Sequence, residues 1–119
     1  MFLEKLSQIS NRIDGAIALS LIDKDGIAVE SVSADENLDL ELLAAELVTQ
    51  ARTISDHHRD LEVGDVRQFS IATDRMTLIV SAVTPGYYLL LVLGPRGNYG
   101  RARFELRRAS LLLEKDLYL

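Results

Sequence analysis

The two histidines of this chain, His57 and His58, are adjacent in the sequence. Adjacent side chains of a helix point about 100° apart, so the two imidazoles would not face one metal ion. No H-x-x-x-H or H-x-x-E spacing accompanies them. We interpret the pair as the end of a helix, where imidazolium groups interact favourably with the negative end of the helix dipole.

A short acidic segment, Asp23-Lys24-Asp25-Gly26, resembles the start of a calcium-binding loop. It lacks the length of such a loop and the later glutamate that completes the coordination shell. Its composition is typical of a tight turn between two strands, with a glycine available for positive φ. We therefore predict a hairpin turn and no metal site.

A glycine-rich segment, from Gly94 to Gly100, precedes a predicted helix and invites comparison with a phosphate-binding loop. The lysine and the serine or threonine of a P-loop are absent, as is the G-x-G-x-x-G spacing. We interpret the segment as a turn between a strand and a helix. The sequence indicates no nucleotide site and no cofactor.

Charge is unevenly distributed along the chain. The segment 23–46 contains eight acidic residues and one basic residue, whereas the segment 96–108 contains five arginines and one glutamate. These arginines are either solvated helix charges or a docking surface for phosphate or acidic groups. None of them is identified as an arginine finger. We therefore expect no catalytic residues and no enzyme.

Composition supports one globular domain over residues 1–119, with 48% hydrophobic residues. The net charge of -5 argues against a nucleic-acid partner. The N-terminus does not resemble a signal peptide, and the longest apolar run is too short to span a bilayer. The absence of cysteine fits a reducing compartment. We expect a cytoplasmic protein with no membrane insertion.

The elements that position these residues follow from hydrophobic periodicity. Helical spacing predicts helices over 2–13, 40–58 and 99–117, and apolar or alternating runs predict strands over 16–22, 27–32, 66–73, 76–83 and 87–93. The run Tyr87–Leu93 has no polar position, so we expect a strand that is covered on both faces. The predicted fold is α/β (α+β): a three-layer sandwich of order α-β-β-α-β-β-β-α, with a five-stranded antiparallel sheet between the middle helix and the two terminal helices.

The central helix has a stripe that should face the sheet, containing Leu40, Leu43, Ala44, Leu47, Ala51 and Ile54. Beside it, Ala45, Val48 and Arg52 form a flank that either borders the core or allows a second helix to approach. The strand after this helix is the least apolar of the last three, which indicates an edge strand in need of protection or a partner. In the last helix, Phe104, Leu111 and Tyr118 form a second row that we expect to pack in part on the first helix.

The element order and several segments together resemble the roadblock family, named for the dynein light chain. The first strand with its aspartate–glycine turn (15–26), the start of the central helix (43–47), the following strand (64–71), the last strand (88–93) and the helix after it carry the resemblance. It covers almost the whole chain and is closest to bacterial MglB-type regulators of Ras-like GTPases.

This resemblance implies a roadblock-like (profilin-like) homodimer, in which the edge strands pair and the central helices lie side by side. The implied dimer-interface residues are Val48, Arg67, Gln68, Phe69, Ser70 and Ile71. The implied partner is a small Ras-like GTPase that binds across the central helices. Its expected contacts are Leu42, Ala45, Glu46, Thr49, Arg52, Thr53 and Asp56.

Three other functions stay open at this point. Roadblock proteins also serve as scaffolds or adaptors that bind a GTPase without stimulating it. A second alternative is a structural dimerisation module in a larger complex. A third is a small-molecule sensor, which would need a cavity with convergent polar groups between helix and sheet.

Overall fold

The structure, a computed structural model, describes residues 2–117. Within this range three helices and five strands follow one another in the predicted order. They are α1 (Phe2–Asn11), β1 (Ala16–Asp23), β2 (Ala28–Ser33), α2 (Leu40–Asp60), β3 (Gln68–Ala72), β4 (Thr77–Thr84), β5 (Tyr87–Leu93) and α3 (Tyr99–Leu117).

The strands form one antiparallel sheet of order β2-β1-β5-β4-β3. Strand β5, the last in sequence, lies in the centre and pairs with β1 on one side and β4 on the other. This position explains its composition, because a central strand between two helix layers has no face exposed to water. The predicted fold class and the edge position of β3 are confirmed.

Side chains of β5 alternate between two cores. Leu89, Leu91 and Leu93 face the layer of α1 and α3, where they pack with Leu106 and Leu113. Leu90 and Val92 point to the other face of the sheet, where they pack beneath α2 with Ala44 and Leu47. All of these side chains are buried, so the sheet is the middle layer of the predicted sandwich.

Short polar side chains fix where the helices and the first hairpin begin. The Asp39 Oδ1 atom accepts the Leu42 N–H at 3.1 Å, so Asp39 caps α2. The Asn98 Oδ1 atom accepts the Arg101 N–H at 3.0 Å at the start of α3. In the β1–β2 turn, Asp23 Oδ1 accepts the N–H groups of Asp25 and Ile27. The predicted hairpin turn is confirmed.

The glycine-rich segment packs closely against the turn that follows α1. Gly15, in the turn after α1, has a φ of +84°, and a Cβ atom on it would lie 2.6 Å from the Gly97 Cα atom. A Cβ atom on Gly97 would lie 2.4 Å from Leu93. Two chain segments can therefore cross here only because both residues lack a side chain.

Some side chains lie where only one of the predicted alternatives allows, or where none does. Val48 is 1% exposed and packs in the core under α2, which agrees with a flank that borders the core and leaves little of Val48 for the predicted dimer contact. The sheet covers a wider band of the helix than one stripe. The row of Phe104 and Leu111 was expected to pack in part on α1. Both side chains are instead 61% exposed. Tyr118, the third member of that row, lies outside the described residues.

Candidate protein-interaction site

The outer surface of α2 carries five of the predicted partner contacts in one line: Leu42, Glu46, Thr49, Thr53 and Asp56. All five are exposed, and their spacing of four and three residues places them on one helix face. Leu42 is 65% exposed on this otherwise polar line. An apolar side chain in that position gains free energy when a partner covers it.

The other two predicted contacts, Ala45 and Arg52, lie on a flank that the protomer itself partly covers. A Cβ atom on Gly26 would lie 3.1 Å from the Ala45 Cα atom. The Arg52 Nη1 atom donates to the Lys24 carbonyl oxygen at 3.4 Å. The β1–β2 turn therefore occupies the side of α2 that we considered for a second helix.

Strand β3 leaves half of its backbone groups without a neighbouring strand. Its register with β4 pairs Gln68–Ala72 one to one with Ser81–Thr77. Hydrogen bonds from the Thr73 N–H to the Met76 oxygen (2.8 Å) and from the Ala82 N–H to the Arg67 oxygen (2.7 Å) show that the odd-numbered residues bond to β4. The N–H and C=O groups of Gln68, Ser70 and Ala72 therefore point to the open edge.

Helix α3 holds this edge strand by two side-chain hydrogen bonds. The hydroxyl groups of Ser70 and Tyr99 lie 2.7 Å apart. The Arg103 Nε atom donates to Gln68 Oε1 at 2.8 Å, and its guanidinium lies 5.6 Å from the centre of the Tyr99 ring. These contacts fix β3 in an extended conformation, which leaves the open edge ready to pair. Local sequence patterns do not reveal these contacts, because they join residues about 30 positions apart.

Further apolar side chains are exposed near the end of α2 and on β3. Leu61 and Val63 are 68% and 67% exposed, and Ile71 is 39% exposed. Phe69, also on β3, is half-buried and packs against the core under α2. Leu61 and Val63 were missed because they lie beyond the helical stripe, between charged residues.

Residues that could hold a metal ion do not converge in the described part of the chain. Within residues 2–117, no group of three histidine, aspartate or glutamate side chains is placed to hold a metal ion. His57 and His58 lie in the last turn of α2, where the sequence predicts them. No helix in the described part of the chain is long and apolar enough to cross a membrane.

A groove of about 950 Å³ runs beside the second half of α2, between the β1–β2 turn and the segment before β3. Basic and acidic residues line it in equal number: Lys24, Arg52, Arg59 and Arg67, with Asp25, Asp56, Asp65 and Glu114. The groove is open to solvent. The space between α2 and the sheet is filled by apolar side chains, so a sensor cavity is not found there among the described residues.

Comparisons with known proteins agree with this architecture. Residues 2–93 match the family model described as Roadblock/LC7 domain. The solved Roadblock/LC7 domain from Streptomyces avermitilis is 19% identical, with a TM-score of 0.88 over 98% of this chain and 98% of that one. The gliding protein MglB from Thermus thermophilus is 23% identical, with a TM-score of 0.86 over 94% of this chain and 84% of that one.

A third similar structure, MglC from Myxococcus xanthus, has a higher sequence identity. It is 31% identical, with a TM-score of 0.71, over 97% of this chain and 98% of its own. A search of curated proteins finds no match. The family match indicates no enzyme class.

Proposed function

Because the chain belongs to the Roadblock/LC7 domain family, we propose that it is a homodimeric regulator of a small Ras-like GTPase in the cytoplasm. In this proposal the GTPase binds across the two central helices, and its rate of GTP hydrolysis rises. The observation that carries the proposal is the open β3 edge beside an exposed face of α2. The likeness to MglB and MglC supports it.

Pairing of β3 with the β3 of a second copy would satisfy the outward backbone groups of Gln68, Ser70 and Ala72. An antiparallel pair about a two-fold axis joins the two sheets into one of ten strands. Both α2 helices then lie on the same side of the joined sheet. Strand β3 suits this role because it has no proline, no charged residue and no bulge within Gln68–Ala72.

The helix pairing would use the side of α2 that faces away from the β1–β2 turn. That turn belongs to the β1–β2 half of the sheet, so the opposite flank lies toward β3. Leu43, Gln50, Ile54 and His57 occupy this flank at helical spacing, and Leu43 and Ile54 are half-buried within the protomer. We assign the helix pairing to these residues in place of Ala45, Val48 and Arg52.

The GTPase would contact the exposed line from Leu42 to Asp56. Burial of a fully exposed leucine contributes about 1.5–3 kcal/mol, so Leu42 is the contact whose loss should be largest. Glu46 and Asp56 add negative charge on either side of two threonines. Such a polar, acidic surface with one apolar anchor is typical of a reversible protein interface.

A scaffold that binds a GTPase without stimulating hydrolysis is the second candidate. One observation favours it: the two arginines of α2 both have partners within the protomer. Arg52 donates to the Lys24 carbonyl oxygen, and Arg59 lies 3.7 Å from Asp56. Hydrolysis rates of the bound GTPase, with and without this protein, separate the two candidates.

The proposed function is tested by capture and titration. The tagged protein is incubated with lysate of the source organism and either GDP or a non-hydrolysable GTP analogue, and recovered proteins are identified by mass spectrometry. We expect a Ras-like GTPase that is recovered preferentially with the analogue. The purified GTPase is then titrated by calorimetry. Equal affinity in both nucleotide states would contradict a regulatory role and leave only the scaffold.

Leu42→Arg should abolish GTPase binding and leave the dimer intact, because it replaces the apolar anchor with a charge. The loss should be at least about 2 kcal/mol, or roughly thirtyfold in affinity. Leu111→Arg is the matched control, since Leu111 is exposed to nearly the same extent, 61% against 65%, in the opposite layer. If Leu42→Arg binds as tightly as the control, the GTPase binds elsewhere.

A further inference from the structure

The outer face of α3 is basic and apolar, although the protein has a net charge of -5. Its exposed residues include Phe104, Leu111 and Leu112, which are 61%, 61% and 49% exposed. The other exposed residues between Arg101 and Lys115 are all basic: Arg101, Arg103, Arg107, Arg108 and Lys115. Glu105, within the same span, is buried and pairs with Arg101 at 3.3 Å. This surface, which we call the α3 face, therefore exposes five cations between Arg101 and Lys115, against one partly exposed carboxylate, that of Glu114.

The arrangement around the helix puts the apolar side chains between the cations. At about 100° per residue, Phe104 and Leu111 lie within about 20° of each other on the wheel. Arg107 lies on one side of this pair, and Arg108 on the other. The ion pairs found among residues 2–117 include neither Arg107, Arg108 nor Lys115. Their charge is therefore available to an external partner.

We propose that the α3 face binds the surface of an anionic lipid bilayer. Phe104 and Leu111 would enter the headgroup region, and the flanking arginines would contact lipid phosphates, as interfacial helices do. Charge complementarity favours a bilayer: five exposed cations surround the apolar centre, against the single partly exposed carboxylate of Glu114, and anionic headgroups present a continuous negative surface to such a face. In this arrangement α3 lies on the membrane surface, and the described helices do not cross it.

The proposed homodimer would double this surface, and this step rests on the proposed function. Helix α3 packs above β4 and bonds to β3 through Tyr99 and Arg103, so it lies on the same half of the sheet as the pairing edge. A two-fold axis perpendicular to the joined sheet keeps both α3 helices on one side. Both α2 helices then lie on the other side, where a bound GTPase would face away from the membrane.

The test is sedimentation of the full chain with unilamellar vesicles. Vesicles of phosphatidylglycerol and phosphatidylcholine in equal parts are compared with vesicles of phosphatidylcholine alone. We expect binding to the anionic vesicles only, weakened by salt. Each basic side chain near an anionic surface contributes about fivefold to binding. Arg107→Glu with Arg108→Glu should therefore lower the affinity by at least about 25-fold.

Two further variants make the outcome specific. Arg59→Glu with Arg75→Glu changes the net charge equally on exposed residues of α2 and the β3–β4 turn, outside α3, and should bind vesicles like the unmodified protein. Phe104→Ser with Leu111→Ser leaves the net charge unchanged and removes the apolar contacts. Because salt screens the electrostatic attraction, the loss of binding relative to the unmodified protein should be clearest at high salt. Light scattering of each variant reports whether the dimer is intact.

Failure of the unmodified protein to bind anionic vesicles would overturn the membrane proposal and point to an acidic protein partner for this face. Equal losses for the two double arginine variants would overturn it as well, because binding would then depend on net charge alone. Neither result bears on the dimer. A monomer by light scattering that still binds vesicles through the α3 face would contradict the proposed function and leave the membrane contact standing.

Discussion

The two edge strands of the sheet, β2 and β3, differ in the features that hinder or permit pairing with another strand. Strand β2 contains Glu30, and its register with β1 skips Val29, so the edge is bulged and charged. Strand β3 pairs residue for residue with β4 and contains no charge. Charges and bulges are the usual protection of an edge strand. The difference supports the proposal that β3, and not β2, pairs with a second copy.

Both edges nevertheless point backbone groups outward. In β2, the Ala34 N–H donates to the Ile17 oxygen at 2.8 Å, which makes Val32 and Glu30 the residues bonded to β1. The backbone groups of Ser31 therefore face the open edge, as those of Ser70 do in β3. Each serine also has a hydroxyl partner at 2.7 Å, Ser20 for Ser31 and Tyr99 for Ser70. The two serines form a matched pair for experiments.

The largest expected effect is that of Ser70→Pro. Proline removes an outward N–H donor and leaves the β3–β4 bonds in place. The mass measured by light scattering should fall from twice 13.2 kDa to 13.2 kDa. Ser31→Pro makes the same change at the other edge and should remain dimeric. If both variants stay dimeric, the dimer does not form through β3.

A smaller effect is expected for Ile71→Lys, which introduces the charge that protects other edge strands. Ile71 is 39% exposed, and a lysine buried against a second copy should raise the dimer dissociation constant about ten- to a hundredfold. Val29→Lys is the control, since Val29 is 43% exposed on β2. Analytical ultracentrifugation measures both constants. A larger change for Val29→Lys would reverse the assignment of the two edges.

The smallest effect is expected for Tyr99→Phe, which removes only the hydroxyl bond to Ser70. A hydrogen bond of this kind contributes about 0.5–1.5 kcal/mol, so the dissociation constant should rise about two- to tenfold as β3 becomes less ordered. Ser20→Ala removes the equivalent bond beside β2 and should leave the constant unchanged. An unchanged dissociation constant for Tyr99→Phe would mean that the hydrogen bond from α3 does not help to order β3 for pairing.

Local patterns in the sequence predicted most of the architecture. The polar composition around Gln68 and Ser70 indicated an edge, and the unbroken apolar run of β5 indicated a strand covered on both sides. The order of the strands was not predicted, because β5 reaches the centre through pairing with β1, which is far away in the sequence. For the same reason β2 was not recognised as the second edge.

Side chains on the surface were harder to place than the elements. Val48 has the composition of a helix flank, yet the sheet covers it, because the apolar band of α2 is wider than one stripe. Phe104 and Leu111 repeat after seven residues like a packing row, but α1 meets α3 near the far end of that helix, through Lys5 and Asp116. Which face a partner covers depends on such contacts, and sequence periodicity does not report them.

Amide hydrogen exchange, resolved by residue with NMR, tests the pairing of β3 most directly. The outward amides of Gln68, Ser70 and Ala72 have no strand partner within the protomer, and neither does that of Ser31 on β2. In the intact protein at micromolar concentration or above, the account predicts slow exchange at the three β3 amides and fast exchange at Ser31. Fast exchange at all four amides would contradict the claim that β3 is the dimer edge.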